Sequence, residues 1–103
     1  IQFVDRNKIQ IEGTVEEIMP LGNLKEKYEA SDWNVIEIDG HNFSEILSAV
    51  EKAKTLKDSP CVILASTIFG KGVSFMEGNP DWHAKAPTDE EYKKAIEEIN
   101  QNG

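Results

Sequence analysis

The six residues Cys61-Val-Ile-Leu-Ala-Ser66 decide how the rest of the chain reads. Pro60 precedes them, and five consecutive positions are apolar without any polar alternation. A strand with one wet face alternates, whereas a strand covered on both faces does not, as in a parallel sheet flanked by helices. The run is therefore expected to be a central strand. Upstream, Asn34-Val-Ile-Glu-Ile-Asp39 reads as a second strand, and Asp39-Gly40 supplies a turn at its end. Asn42 then caps a helix, with Glu45 three residues on and Ile46, Leu47, Val50, Ala53 and Leu56 expected on one face. Such a stripe needs a sheet to pack on.

Working outward, Ile1-Gln-Phe-Val4 is a β-favouring run with no turn or cap before it, so a strand is expected from the first residue. That beginning fits a split gene, a cleavage product or an excised segment. Ile9-Gln-Ile11 and Gly13 read as a strand running into an extended loop. Thr14 and Glu17 have the spacing of a capping box, but Pro20 and Gly22 end that helix early, before another short helix over residues 24–30. Residues 67–87 carry three glycines and two prolines without sustained periodicity and predict a long loop, which Phe75 and Trp82 should order. Thr88-Asp-Glu-Glu91 is a second capping box, and Tyr92, Ala95, Ile96 and Ile99 follow at helical spacing.

Strand and helix alternate along the chain, which gives an α/β fold with a parallel sheet between helix layers. Three strands do not complete such a sheet. The first strand is expected to add to strands that belong to another chain or segment.

The 103 residues, 39% apolar and 29% charged, suit one soluble domain, and a chain of this length hides only roughly two thirds of its unfolded surface. A net charge of -8 repels nucleic acid and anionic lipid over most of the surface. No apolar run approaches the roughly 18 residues of a membrane span, and the chain reads as cytoplasmic. The single cysteine, Cys61, lies in the apolar run and is expected to be an inert buried thiol.

In open parallel sheets ligands sit beyond the carboxyl ends of the strands, which directs attention to the loops after Val4, Ile38 and Ser66. Asn7 offers a neutral amide oxygen that suits magnesium, or else simply bonds its own backbone. Gly70-Lys71-Gly72 lets backbone approach an anion, or is only a flexible turn. His83, next to Trp82, is a candidate proton carrier or phosphate donor, while His41 reads as part of a helix start.

Taken together, Asp5-Arg-Asn-Lys-Ile-Gln-Ile-Glu-Gly13, Glu37-Ile-Asp-Gly-His41, Ala65-Ser-Thr-Ile-Phe-Gly-Lys-Gly-Val73 and Trp82-His83 followed by Pro87 occur in an order and spacing that resembles the transketolases. Residues 1–103 are similar to the later, C-terminal portion of the thiamine-diphosphate-binding domain, and most like the small amino-terminal subunit of split transketolases. The resemblance implies a partial unit of a three-layer α/β/α parallel-sheet fold and the cofactors thiamine diphosphate and magnesium. It implies transfer of a two-carbon ketol unit from a ketose phosphate to an aldose phosphate. By the same resemblance the Asn7 side chain and the Ile9 carbonyl bind magnesium. Gly70 and Gly72 match the diphosphate loop, and His83 contacts both the diphosphate and a hydroxyl of the sugar donor. Three positions depart from the pattern: Phe69 where many relatives have Lys, Ala84 where Gly commonly follows the histidine, and Lys71, which varies.

The resemblance also implies partners. A Gly-Asp-Gly segment with a further magnesium ligand belongs upstream of Ile1, and the glutamate that engages the aminopyrimidine belongs to a separate pyrimidine-binding domain, normally across an oligomer interface. Two other readings stand beside it: a non-catalytic acidic α/β interaction module, and another thiamine-diphosphate enzyme such as deoxyxylulose-phosphate synthase or a 2-oxoacid dehydrogenase component.

Overall fold

A computed structural model of the chain describes residues 1–10, 13, 14, 16 and 20–102. The chain divides into two compact units, Ile1–Asn7 with Leu21–Thr67 and Lys8–Pro20 with Ile68–Gly103.

The first unit holds strand β1 (Gln2–Arg6), helix α1 (Leu24–Glu29), strand β4 (Asn34–Asp39), helix α2 (Phe43–Thr55) and strand β5 (Cys61–Ser66). Its sheet has the order β1-β5-β4, with both pairs parallel. Cys61–Ser66 is thus the central strand, as its unbroken apolar run requires. Val62, Ile63 and Leu64 are fully buried, each worth roughly 1.5–3 kcal/mol relative to exposure. β1 extends two residues past Val4 because β5 continues to Ser66 and pairs with Arg6.

Register assigns the faces. Ile36 and Ile38 lie beside Ile63 and Ala65, and these residues cluster with Ala49 and Ala53 of α2. On the opposite face, Lys25 of α1 reaches Glu37 at 3.6 Å and Gln2 donates to the Tyr28 hydroxyl at 3.3 Å. One helix per face makes the three layers expected for the α/β fold.

Leu47 corrects the helix face read from the sequence. It is 68% exposed, and Ala49 is buried in its place beside Ile46, Val50, Ala53 and Leu56. Each residue turns an α-helix by about 100°, so Leu47 falls outside a stripe centred on Ala49 and Ala53.

In the second unit, β2 (Ile9–Gln10) and β3 (Gly13–Thr14) pair antiparallel, with Ile9 opposite Thr14. A strand running into an extended loop is expected there; Gly13–Thr14 is a second short strand paired with the first. Ile11 and Glu17, on which the strand end and the first capping box rest, lie outside the described residues. Residues 67–87 include an ordered 3-10 helix, Pro80–His83, followed by helix α3 (Asp89–Asn102). Of the terminal apolar stripe only Ala95 is buried, while Tyr92, Ile96 and Ile99 remain exposed.

Candidate functional site

Asn7 follows the last residue of β1 and therefore sits at the carboxyl end of the sheet, where an α/β fold places its ligands. The next residue, Lys8, has φ 62°, a left-handed conformation uncommon outside glycine and asparagine. Ile9 then opens β2. Asn7 is in the first unit; Ile9, Gly70, Gly72 and His83 are in the second.

The other strand ends are occupied by polar contacts of their own. The Thr67 hydroxyl donates to the Asp5 carboxylate, tying the ends of β1 and β5. Asp39 accepts the His41 N–H at 2.9 Å and gives its own N–H to Glu45 at 2.8 Å. Asn42 caps α2 by accepting from the N–H groups of Ser44 and Glu45. His41 thus belongs to a helix start, as its place beside Asp39-Gly40 suggests.

The two glycines of Gly70-Lys71-Gly72 differ. Both have positive φ, 69° and 94°. A Cβ on Gly70 would lie 2.6 Å from the Met76 carbonyl oxygen, so the loop's own packing demands glycine there. At Gly72 a Cβ would meet nothing within 4 Å, which leaves open space beside that backbone. The Gly72 N–H donates to Glu77 at 3.0 Å, and the same Glu77 oxygen lies 3.9 Å from Lys71. A carboxylate of the chain thus already sits where the glycine loop presents a donor and a positive charge.

His83 ends the 3-10 helix and is exposed. Asn79 starts that helix by accepting the Asp81 N–H at 3.0 Å, with Pro80 in the first turn. The sequence reading missed this element, although an N-capping asparagine followed by proline and an acidic residue is a helix-start signal. Trp82 is fixed by its indole N–H on the Phe75 carbonyl at 3.0 Å and by an edge-to-face contact, ring centroids 5.5 Å apart. Lys85 lies 4.1 Å from the centre of the Trp82 ring. Aromatic order in this loop, expected from Phe75 and Trp82, is what the structure has.

Two carboxylates of α3 complete the loop. Glu98 accepts from the Ser74 N–H and hydroxyl, and the backbone bond foremost holds its carboxyl below the usual carboxylate range. Glu91 is likewise held low, first by the Thr88 N–H, with Lys85 also contributing. Among the described residues no group of three or more His, Cys, Asp or Glu side chains could hold a metal ion. No helix among the described residues is long and apolar enough to cross a membrane.

A three-layer parallel sheet with polar residues gathered beyond its strand ends defines an α/β unit of the ligand-binding kind. The chain belongs to the transketolase family: residues 1–102 match the transketolase, thiamine diphosphate binding domain. It is 48% identical over its full length to a 6-deoxy-6-sulfo-D-fructose transketolase subunit from a Clostridium species, and covers 38% of that protein. Over 98% of its length it is 35% identical to one of the apulose-4-phosphate transketolase subunits, that of Phocaeicola vulgatus, covering 36% of it. The chain therefore spans little more than a third of these relatives. The crystal structure of transketolase from Campylobacter jejuni superimposes with a TM-score of 0.85 at 37% identity, covering 95% of this chain and 15% of that one. The parallel α/β fold expected from the sequence is thus the fold of a solved family member.

Proposed function

We propose that this chain is the diphosphate-binding part of a transketolase divided between polypeptides, which moves a two-carbon ketol unit from a ketose phosphate to an aldose phosphate with thiamine diphosphate and magnesium. The observation that carries the reading is identity of 48%, across all 103 residues, to a relative that is itself named as a transketolase subunit.

The chemistry of the residues fits the cofactor. Asn7 and the Ile9 carbonyl are hard, neutral oxygens of the type magnesium takes, and would hold the ion. Once Glu77 gives up the Gly72 N–H, the backbone there, with open space where a Cβ would stand, and the exposed His83 imidazole would meet the diphosphate, with Gly70 shaping the loop. A cation reconciles a polyanionic ligand with a chain of net charge -8. Bound thiamine diphosphate supplies the nucleophilic carbon that ketol transfer needs. His83 orients a donor hydroxyl and carries its proton, a role typically worth about 100-fold to 10,000-fold in rate.

The remaining parts come from partners: an upstream Gly-Asp-Gly segment with a carboxylate ligand for the metal, and a pyrimidine-binding domain, in an oligomer that works in the cytoplasm. The same relatives support a second reading of the donor, in which a sulfonate takes the place of the phosphate. Identity of 48% to the protein named for 6-deoxy-6-sulfo-D-fructose, against 35% for that named for apulose 4-phosphate, favours a ketose with a terminal sulfonate.

Reconstitution tests this. The chain combined with the Gly-Asp-Gly segment and the pyrimidine-binding domain is expected to transfer ketol units, and Asn7→Ala to abolish transfer at ordinary magnesium, with partial recovery at high magnesium. Full activity of Asn7→Ala would remove the metal assignment. No transfer from any sugar in a panel of phosphorylated and sulfonated ketoses would favour the non-catalytic interaction module. Turnover of 2-oxoacids alone would point to the synthase or dehydrogenase chemistry.

A further inference from the structure

Helix α3 grips the loop that carries His83 at two points. At the first, Ser74 donates its backbone N–H at 2.5 Å and its hydroxyl at 2.8 Å to the two oxygens of Glu98. At the second, Lys85 lies 3.4 Å from Glu91 while its ammonium covers the Trp82 ring. Glu91, Lys94 and Glu98 recur at i, i+3 and i+7 and so share one face of the helix. Lys94 links them to the loop, 4.0 Å from Glu98 and 5.1 Å from the centre of the Phe75 ring. Between these anchors Phe75 and Trp82 hold each other, and His83 is the next residue.

This differs from ordinary surface pairing. An exposed ion pair contributes little because two flexible side chains lose freedom in making it. A carboxylate that takes a backbone N–H and the adjacent hydroxyl together fixes the main chain at that residue, and charge-assisted bonds of this type are the strong ones. From Ser74 the constraint passes to Phe75, from its carbonyl to the Trp82 indole, and from Trp82 to His83.

We infer that Glu98, through its two-pronged hold on Ser74, is a positioning residue for the His83 imidazole. The inference rests on the reading of His83 as the group that meets diphosphate and sugar donor. An imidazole on a glycine-containing loop works only if that loop is held, since productive geometry tolerates about 0.5 Å and a misplacement of about 1 Å costs on the order of 100-fold in rate.

The test uses the 103-residue chain for structure and the reconstituted enzyme for rate, with Glu98→Ala, Glu98→Gln and Ser74→Ala. In the chain, Glu98→Ala is expected to speed amide exchange over residues 74–83 and to shift the His83 imidazole resonances, with β5 exchange unchanged. Ser74→Ala, which removes only the hydroxyl bond, should give the same signs at smaller size, and serves alone if Glu98→Ala does not fold. In the enzyme, kcat should fall about tenfold to a hundredfold in Glu98→Ala, a larger factor than the rise in KM for thiamine diphosphate, and Glu98→Gln should restore part of the loss. Unchanged exchange and unchanged His83 resonances overturn the inference whatever the rate does. A displaced imidazole with kcat intact overturns it too, by removing His83 from the reaction. Absence of ketol transfer in the unmutated assembly refutes the functional reading alone, because exchange and resonances are read without turnover.

Discussion

Thr88 and Glu91 satisfy one another at the start of α3: the Thr88 N–H donates to Glu91 Oε2 at 2.8 Å, and the Glu91 N–H donates to Thr88 Oγ1 at 3.3 Å. The first N–H groups of a helix have no intrahelical partner, so this reciprocal pair fills two otherwise open positions. Thr88→Ala is expected to lower stability by about 1 kcal/mol, the usual size of a lost N-cap, and Thr88→Ser to keep most of it. Urea unfolding of the three proteins measures the difference, and an unchanged midpoint for Thr88→Ala would show that the cap contributes nothing.

The same helix sets an acid limit. Glu91 and Glu98 are held below the ordinary glutamate range in the folded state, each chiefly through a backbone N–H that its carboxylate accepts. A group depressed in the folded state contributes stability that is fully present above the unfolded pKa and disappears as pH falls through the folded one. The part of stability and loop protection that these two carboxylates supply should therefore be fully present at neutral pH and be lost as the solution is acidified through and below the ordinary glutamate range. Glu98→Gln should start lower and show a shallower acid decline. The readout is amide exchange over residues 74–83 as a function of pH, and an acid decline of the same steepness in Glu98→Gln would contradict the assignment.

What was legible in the sequence was local. Cys61–Ser66 announces its two-sided burial through composition, and Asn42 and Thr88 announce helix starts through residues three apart. The carboxyl-end position of Asn7 followed once the strands were placed. The pattern does not place Leu47 correctly, because adjacent apolar residues at 46 and 47 cannot both centre on one stripe and the small Ala49 gives no hydrophobic signal strong enough to choose between them. Ser74 and Glu98, by contrast, are 24 residues apart, and no periodicity links a loop serine to a helical glutamate. Phe75 and Trp82 signalled order without specifying that the indole would choose the Phe75 carbonyl. Lys8 could not be foreseen at φ 62°, since nothing in a lysine side chain favours that conformation.

Gly70 and Gly72 should respond differently to the same change. Gly70→Ala meets both a positive φ and a Cβ 2.6 Å from the Met76 backbone, so the loop itself must move. Gly72→Ala meets only the positive φ, a penalty of roughly 1–2 kcal/mol. Thermal unfolding is expected to rank Gly70→Ala as clearly the more destabilising. In the reconstituted enzyme the order reverses in one respect. At a temperature where both variants are folded, Gly72→Ala should weaken thiamine diphosphate affinity beyond its effect on stability, because the added methyl enters space the cofactor would use. Equal stabilities would refute the packing argument, and an unchanged cofactor affinity in Gly72→Ala would remove that glycine from the diphosphate site.

Lys8 holds a left-handed backbone, φ 62°, between Asn7 and Ile9, the two residues proposed to hold magnesium. A side chain with a Cβ adopts that conformation at a cost of roughly 1–2 kcal/mol, and a β-branched one at more. Glycine accepts it freely but loses more entropy on folding, by roughly 0.5–1 kcal/mol, so the two effects largely offset in Lys8→Gly. Lys8→Gly is therefore expected to change stability by less than about 1 kcal/mol, and Lys8→Val to lower it by about 1–2 kcal/mol. If the turn is also what presents Asn7 and the Ile9 carbonyl to one ion, Lys8→Val should raise the magnesium concentration needed for half-maximal activity, whereas Lys8→Gly should leave it near that of the parent. Chemical unfolding and a magnesium titration of the reconstituted enzyme measure the two consequences separately. Equal stability of the valine and glycine variants would show that residue 8 does not need a positive φ. A magnesium requirement unaltered by Lys8→Val, in a variant shown to be destabilised, would separate the turn from the metal.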